Sequence, residues 1–305
     1  MKKVLVTGGT VFVSRYVAEY YVKKGFEVYV LNRNTRAQPA GTTLIEADRH
    51  DLGDRLRHEQ FDVVFDVTAY TAQDVNMLLD AIGSYGLYIM ISSSAVYPES
   101  AAQPFSEETP LGENKFWGKY GTDKIEGEAA LVKRDPNAYI LRPPYLYGPM
   151  NNVYREAFVF ACAMGGRKFY LPRDGEMGLQ FFHVDDLCRF MDVILARRPD
   201  RHIFNVGNPS SVSIREWVTM CYRAVGKQPD FVRVHQPVAQ RNYFCFYDYE
   251  YELDVREQER LMPKTRSMED GLKESAAWYL ANQGAVREKP LIAYIDHQLL
   301  PLLIF

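Results

Sequence analysis

The sequence predicts a doubly wound α/β fold, with a parallel sheet covered by helices on both faces and a smaller C-terminal α/β lobe. Three observations predict it. Short β-rich runs alternate with helical patterns through the first half of the chain. Two of these runs, 62–67 and 87–92, are nearly continuous apolar stretches, as strands buried on both faces should be. A Gly8-Gly9 turn joins the first run to the first helical pattern.

Taken in order, Lys3 to Thr7 is the first strand. From Phe12 to Lys24 apolar residues recur at helical spacing (Phe12, Val13, Tyr16, Val17, Tyr20, Tyr21), and Gly25 stops the helix. Strands follow at 27–31, 43–45, 62–67 and 87–92, with helices near 51–59 and 71–83 between them. A helix over 117–134 leads to a strand at 138–142, which Pro143-Pro144 ends. The crossovers should be right-handed. After Gly148-Pro149 the rhythm changes. Residues 150–182 are loop-rich around a helix at 153–164, followed by a strand at 181–184, a helix at 185–197 and a strand at 203–206. Beyond 208, helices at 213–225, 254–260 and 269–282 alternate with irregular, aromatic-rich segments. The expected division is a sheet domain, 1–149 plus about 181–207, and a second lobe, 150–180 plus 208–305.

At 305 residues the chain can bury a large core in one or two domains. Hydrophobic and charged fractions of 47% and 25% are globular averages and exclude disorder. A net charge of −3 without a long basic run argues against nucleic acid or an anionic membrane as partner. No apolar run reaches transmembrane length, and Met1-Lys2-Lys3 leads straight into a strand, unlike a signal peptide, so a cytoplasmic protein is expected. Cys162, Cys188, Cys221 and Cys245 are dispersed, without metal-ligand spacing. They read as free thiols, and no metal site is expected.

Between the first strand and first helix stands Val6-Thr7-Gly8-Gly9-Thr10-Val11-Phe12-Val13-Ser14-Arg15. A turn there offers backbone N–H groups and a helix N-terminus to a pyrophosphate. The stretch resembles the T-G-x-x-G-x-x-G loop of the short-chain dehydrogenase/reductase superfamily, most of all its extended, NAD-dependent epimerase/dehydratase branch. That resemblance implies a Rossmann sheet, an NAD(P) cofactor, and contact with it from Thr7, Gly8, Gly9, Thr10, Val11, Phe12 and Val13. Gly8 is in place, but Val11 and Ser14 stand at the second and third glycines. Ser14 still lets helix and strand approach, whereas Val11 puts a branched side chain where bare backbone meets the phosphates. At the end of the second strand an acidic residue accepts from a ribose 2′-OH, and an arginine favours a 2′-phosphate. Leu31-Asn32-Arg33-Asn34-Thr35-Arg36 holds no carboxylate, so Asn32, Arg33 and Arg36 point to NADP(H), the alternative being that the arginines are solvated loop charges. The resemblance also assigns Asp48 to the adenine edge, and Ala69 and Tyr70 to the nicotinamide ribose.

Tyr120 and Lys124 are four apart on the helix predicted over 117–134, so they share a face. The spacing alone is weak, since Tyr20 and Lys24 repeat it in the first helix. Context raises the later pair: it follows a strand ending in Ser92-Ser93-Ser94 and precedes one ending in Leu141-Arg142-Pro143. In that order the superfamily brings serine, tyrosine and lysine together at the carboxyl edge of the sheet. A tyrosine, with a pKa near 10, is a poor base at neutral pH unless an ammonium and an oxidised nicotinamide favour its phenolate. Tyr120 is thus expected to move the carbinol proton, Lys124 to support it and hold the nicotinamide ribose, and Ser93 to donate to the substrate oxygen. Ser94 is the second candidate for that role. Dehydratases of the branch carry Asp-Glu after the serine; Ser94-Ala95 here points to epimerisation or simple oxidoreduction instead.

The segment Leu141 to Pro149 resembles the strand and loop under the nicotinamide, with Pro143 at the cofactor. Phe181-Phe182-His183-Val184-Asp185-Asp186 and Phe204-Asn205-Val206-Gly207 resemble later strands of the branch. By the same resemblance the second lobe binds substrate, a nucleotide sugar, with Asn151, Arg155, Tyr170 and Arg241 as candidates, joined by Asn152, Arg167 and Arg173. Arginine forks suit a diphosphate. Gln180 replaces the arginine usual before the Phe-Phe-His strand. A homodimer through helices 71–83 and 117–134 is implied as well. Two other readings stand beside this one. The first is an NADPH-dependent reductase of a small carbonyl compound. The second is a non-catalytic RNA-binding protein on the same scaffold, because a plant-plastid RNA-binding group has a similar loop with a bulky residue at the Val11 position.

Overall fold

The computed structural model describes residues 2–303, which cluster into two compact units. Unit 1 comprises Met1–Leu146, Phe181–Pro209 and Leu253–Thr265; unit 2 comprises Tyr147–Gln180, Ser210–Glu252 and Arg266–Phe305. Residues Leu253–Thr265 therefore fall in unit 1, although the sequence rhythm groups them with the later lobe.

Unit 1 is built on seven strands: β1 (Lys3–Thr7), β2 (Glu27–Asn32), β3 (Thr42–Glu46), β4 (Val63–Asp66), β5 (Tyr88–Ile91), β6 (Tyr139–Arg142) and β7 (Ile203–Asn205). They lie in the order β7-β6-β5-β4-β1-β2-β3, and every pairing is parallel. The direction of winding reverses between β1 and β4, where Val6 pairs with Phe65. In open α/β sheets the ligand crevice opens at the carboxyl ends of such a reversal. Helices α1 (Phe12–Lys23), α2 (Ala72–Ala81), α3 (Lys119–Arg134) and α4 (Val184–Arg197) cover the sheet, and a short α5 (Arg256–Leu261) belongs to the same unit.

Alternation along the strands makes two cores, because successive side chains point to opposite faces. Val4, Val6, Val28, Val30, Phe65 and Ile89 pack with Val17 and Tyr21 of α1 and Leu187, Met191 and Ile194 of α4. Leu5, Leu31, Val64, Tyr88, Met90 and Ile140 pack with Val75 and Leu78 of α2 and Leu131 of α3. Thr71 caps α2 through a reciprocal box with Asp74, which sets the start of that helix. Residues 51–59, expected as a helix, instead form successive tight turns closed by Arg55 N to Leu52 O, Arg57 N to Asp54 O and Glu59 N to Leu56 O. Gly53 takes φ +52 there, and a left-handed residue interrupts a right-handed helix.

Unit 2 holds helices at Glu156–Met164, Ile214–Ala224 and Met268–Ala281, with buried Phe158, Phe169, Trp217, Phe244 and Phe246 among its core. Phe169–Pro172 pairs in parallel with Phe231–Val234, two strands absent from the sequence reading. No helix of the described residues is long and apolar enough to cross a membrane.

Candidate active site

The β1–α1 turn supplies bare backbone. Gly8 and Gly9 take φ +86 and +85, and a Cβ built on Gly9 would lie 2.5 Å from Val30 Cγ1. A Cβ on Gly8 would come within 2.9 Å of Ser14 Oγ and Thr68 Cγ2, so the turn, Ser14 and the β4 loop are in close approach. Ser14 Oγ donates to Val11 O at 2.9 Å, so the small residue expected to be harmless also ties the turn to α1. Val11 is the extended N-cap of α1, half-buried, and no side chain caps the helix. Thr10 and Val13 are also half-buried, and Phe12 is buried at φ +39. Glycines with no room for a side chain, beside a helix start that no side chain caps, fit a dinucleotide pyrophosphate.

The neighbouring side chains are largely engaged within the protein. Thr7 Oγ1 donates to Asp66 Oδ1 at 2.7 Å and accepts from Val67 N and Thr68 N, so its hydroxyl serves the sheet edge. Asn32 Nδ2 donates to Gly8 O at 2.6 Å and to Gln38 Oε1 at 3.0 Å. Arg33 and Arg36 are exposed, and Arg33 Nη1 stands 3.8 Å from Asp48 Oδ2. Asp48 is exposed as well, its Oδ1 accepting from His50 N at 2.9 Å.

Helix α3 carries the tyrosine and lysine. It packs close to the serine turn, since a Cβ on Gly121 would lie 2.4 Å from Ala95 O. One turn of helix then sets Lys124 beside Tyr120, with the Lys124 Nζ 6.0 Å from the centre of the Tyr120 ring. The two residues differ sharply in exposure: Tyr120 is 41% exposed and Lys124 only 2%. Lys124 Nζ donates to Ala69 O at 2.6 Å and to Ile91 O at 2.9 Å, which joins the ends of β4 and β5 to α3. Burial pushes the Lys124 ammonium down to about 8, against the attraction of Asp66 and Glu128. Ser93 Oγ accepts from Ala95 N at 3.2 Å and caps the turn Ser94–Val96; buried Ser94 donates its N–H to Pro143 O at 2.9 Å. The structure thus gathers Ser93, Ser94, Pro143, Ala69, Tyr120 and Lys124 at one edge of unit 1. Beneath them Glu128 accepts from Ser92 Oγ and from Arg142 Nη2 at 2.6 Å, and Arg142 Nη1 reaches Tyr97 OH at 2.9 Å.

Sequence reasoning missed a second buried network at the same edge. Asp66, the last residue of β4, is 0% exposed. Arg49 grips it with two bonds of 2.7 and 2.6 Å, and Tyr88 OH and Thr7 Oγ1 complete the set. The guanidinium holds the Asp66 carboxyl below the usual range despite burial, whose opposing effect is the largest single influence. Arg49 also donates to Thr68 Oγ1 and to Asp74 O, and Asp74 Oδ2 accepts from Tyr70 N and Thr71 N. The segment carrying Ala69, the acceptor of Lys124, is therefore fixed from both sides. An aspartate ending an otherwise apolar strand, with an arginine one residue past Asp48, was the available signal.

The substrate candidates of unit 2 separate into two sets. Arg155 lies 5.7 Å over the Phe246 ring, and Arg241 lies 4.8 Å over the Tyr247 ring and donates to Cys245 O. Both act on Lys289, whose ammonium is lowered first by burial and then by Arg241 and Arg155. Asn151, in contrast, is buried, with its amide bonded to Glu156 Oε1 at 2.9 Å and its Oδ1 accepting from Val153 N. Tyr170 is buried in the strand paired with Phe231–Val234. Arg167 and Arg173 pair with Asp296 and Asp248.

A profile described as the NAD dependent epimerase/dehydratase family matches residues 4–207. The chain belongs to that family. Among known proteins this family member is 30% identical over 252 residues to the chloroplast stem-loop binding protein of 41 kDa b of Arabidopsis thaliana, covering 76% of this chain and 65% of that protein. The chain spans about half to two thirds of the length of three curated relatives it matches. In fold it resembles a dTDP-glucose 4,6-dehydratase from Bacillus anthracis solved in complex with NAD (TM-score 0.73, 20% identity, 95% of this chain and 100% of that one). It also resembles a UDP-glucuronic acid 4-epimerase from Bacillus cereus solved with UDP-glucuronic acid and NAD (TM-score 0.71, 20% identity, 92% and 99%). The likeness to these structures is one of fold, a Rossmann-like α/β architecture that unit 1 builds on its seven-stranded parallel sheet.

Proposed function

We propose that this chain is an NAD(P)-dependent enzyme that epimerises or reduces a nucleotide-activated sugar. The observation that carries the reading is a buried Lys124 ammonium one helical turn from a half-exposed Tyr120 phenol, at the carboxyl edge of a dinucleotide-type sheet. The dinucleotide, when bound, supplies the nicotinamide carbon that accepts or returns hydride. Tyr120 takes the carbinol proton as hydride leaves and gives it back on reduction, and the Lys124 charge favours the phenolate. Ser93 or Ser94 holds the same oxygen, while Gly8, Gly9 and the start of α1 receive the pyrophosphate. In unit 2, Arg155, Arg241 and Lys289 gather positive charge suited to a diphosphate. Arg33 and Arg36, exposed at the end of β2, support NADP(H) over NAD. Ser94-Ala95 in place of an acidic pair supports epimerisation or reduction over dehydration. Within the proposal the protein is a homodimer that joins through α2 and α3, where Val132 is exposed. A reductase of a small carbonyl compound would use the same Tyr120 and Lys124, and release of cofactor each cycle separates it from an epimerase.

Tyr120→Phe tests the reading. Turnover of a nucleotide-sugar panel should fall by about 10²–10⁴-fold, the usual worth of a positioned acid–base group, with cofactor still bound. Full activity in that variant ends it. A second reading, an RNA-binding protein on this scaffold, is favoured by the likeness to the chloroplast stem-loop binding protein. Tight, salt-sensitive RNA binding with no nucleotide uptake would select it.

A further inference from the structure

Tyr70 follows β4 in the loop before α2 and is 50% exposed, yet its backbone is fixed by the bond from its N–H to Asp74 Oδ2 at 2.9 Å. Its ring centre is 6.4 Å from that of Tyr120, with the planes at 52°. Lys124 Nζ stands 4.9 Å from the centre of the Tyr70 ring, nearer than the 6.0 Å to Tyr120. A cation at such range is drawn to a ring face, more strongly where water is kept out. Two of the three ammonium donors go to the carbonyls of Ala69 and Ile91, and two aromatic rings lie beside what remains.

We propose that Tyr70 is a positioning residue, whose ring shields the Lys124 ammonium from water and holds it against Tyr120. The inference rests on the reading of Tyr120 and Lys124 as the acid–base pair. Burial and then the charge of Asp74 push the Tyr70 phenol up, and it is the ring that Lys124 Nζ overlies, at 4.9 Å. Asp66 of β4, Asp74 of α2 and Glu128 of α3 face Lys124 and favour its charged form, and Arg49 opposes it. Burial outweighs the attraction and leaves the ammonium near 8. Lys124 is therefore charged at neutral pH and loses its proton where a surface lysine keeps it. Removing the ring gives up its attraction for the ammonium but opens that side to water, and because burial is the largest influence on Lys124 the midpoint should rise toward the ordinary lysine value of about 10.4.

The experiment follows the Lys124 resonance of isotope-labelled protein, assigned by its loss in Lys124→Met, from about pH 6 to pH 11, with no nucleotide or substrate present. Wild type, Tyr70→Phe, Tyr70→Ala and Tyr70→Ser are compared after circular dichroism shows the same fold. Tyr70→Phe should titrate as wild type does, and Tyr70→Ala and Tyr70→Ser about one unit or more higher. Midpoints that stay together in all four, or a phenylalanine variant that moves as far as the alanine one, overturn the proposal. The alkaline limb of kcat/KM should shift with the resonance. A shifted resonance in a protein that takes up no nucleotide upholds the role of Tyr70 at Lys124 and overturns the enzymatic reading alone.

Discussion

Replacing Arg49 by methionine keeps a long apolar stem and removes the charge that pairs Asp66. The lost bonds are two to Asp66 at 2.7 and 2.6 Å, one to Thr68 Oγ1 at 3.1 Å, and two to Asp74 O at 3.2 and 3.0 Å. Asp66 is fully buried and cannot turn to water, so the cost is that of an uncompensated interior charge, about 3–5 kcal/mol at neutral pH. The pH dependence has a definite sign. In the parent protein the folded Asp66 pKa is depressed, so its contribution is present above the unfolded carboxylate value near 3.9 and is lost as pH falls through the folded value. In Arg49→Met the same carboxyl sits raised by burial, and its ionisation opposes folding. The difference between the two proteins should therefore shrink as pH falls from 7 toward 5. Urea unfolding at fixed ionic strength measures the loss, and hydrogen exchange at the β4 amides reports it within unit 1. Arg49→Met combined with Asp66→Asn should recover part of the stability. A loss below about 1 kcal/mol, or one that does not change with pH, would refute the account of Asp66 as a buried anion that depends on Arg49.

Gly9→Ala should destabilise by more than Gly25→Ala. Both residues have left-handed φ, +85 and +78, but a Cβ at Gly9 meets Val30 at 2.5 Å and one at Gly25 meets nothing within 4 Å. The excess in thermal denaturation should be about 1–3 kcal/mol, the cost of overpacking, and equal losses would argue against a turn closed on Val30. Arg33→Ala should weaken NADP(H) binding about tenfold and leave NAD binding unchanged, as read by isothermal titration. An equal loss for both nucleotides would place Arg33 away from the 2′-phosphate.

Much of the candidate site was legible because it follows from short-range rules. Tyr120 and Lys124 share a face through the helical repeat alone, and the serines lie at the end of an apolar run that had to be a buried strand. Gly8 and Gly9 announced a tight turn. The helix expected over 51–59 failed because Gly53 adopts a left-handed conformation that apolar spacing does not register. The parallel strands Phe169–Pro172 and Phe231–Val234 are not legible in the sequence because about 60 residues separate them and each has the other as its strand partner. Asn151 illustrates the reverse problem. The family resemblance makes it a substrate candidate, yet its amide is spent on Glu156 inside unit 2.

The sequence by itself determined the order of the seven sheet strands of unit 1, the family and the positions of the acid–base candidates, since periodicity and local motifs are carried within a few residues. Tertiary structure alone decided what surrounds them: that Arg49 reaches Asp66 and Asp74, that Tyr70 lies over Lys124, and that Glu128 ties Ser92 to Arg142. Those partners come from different strands and loops, and their energies arise from burial, which exists only once the sheet has closed over them.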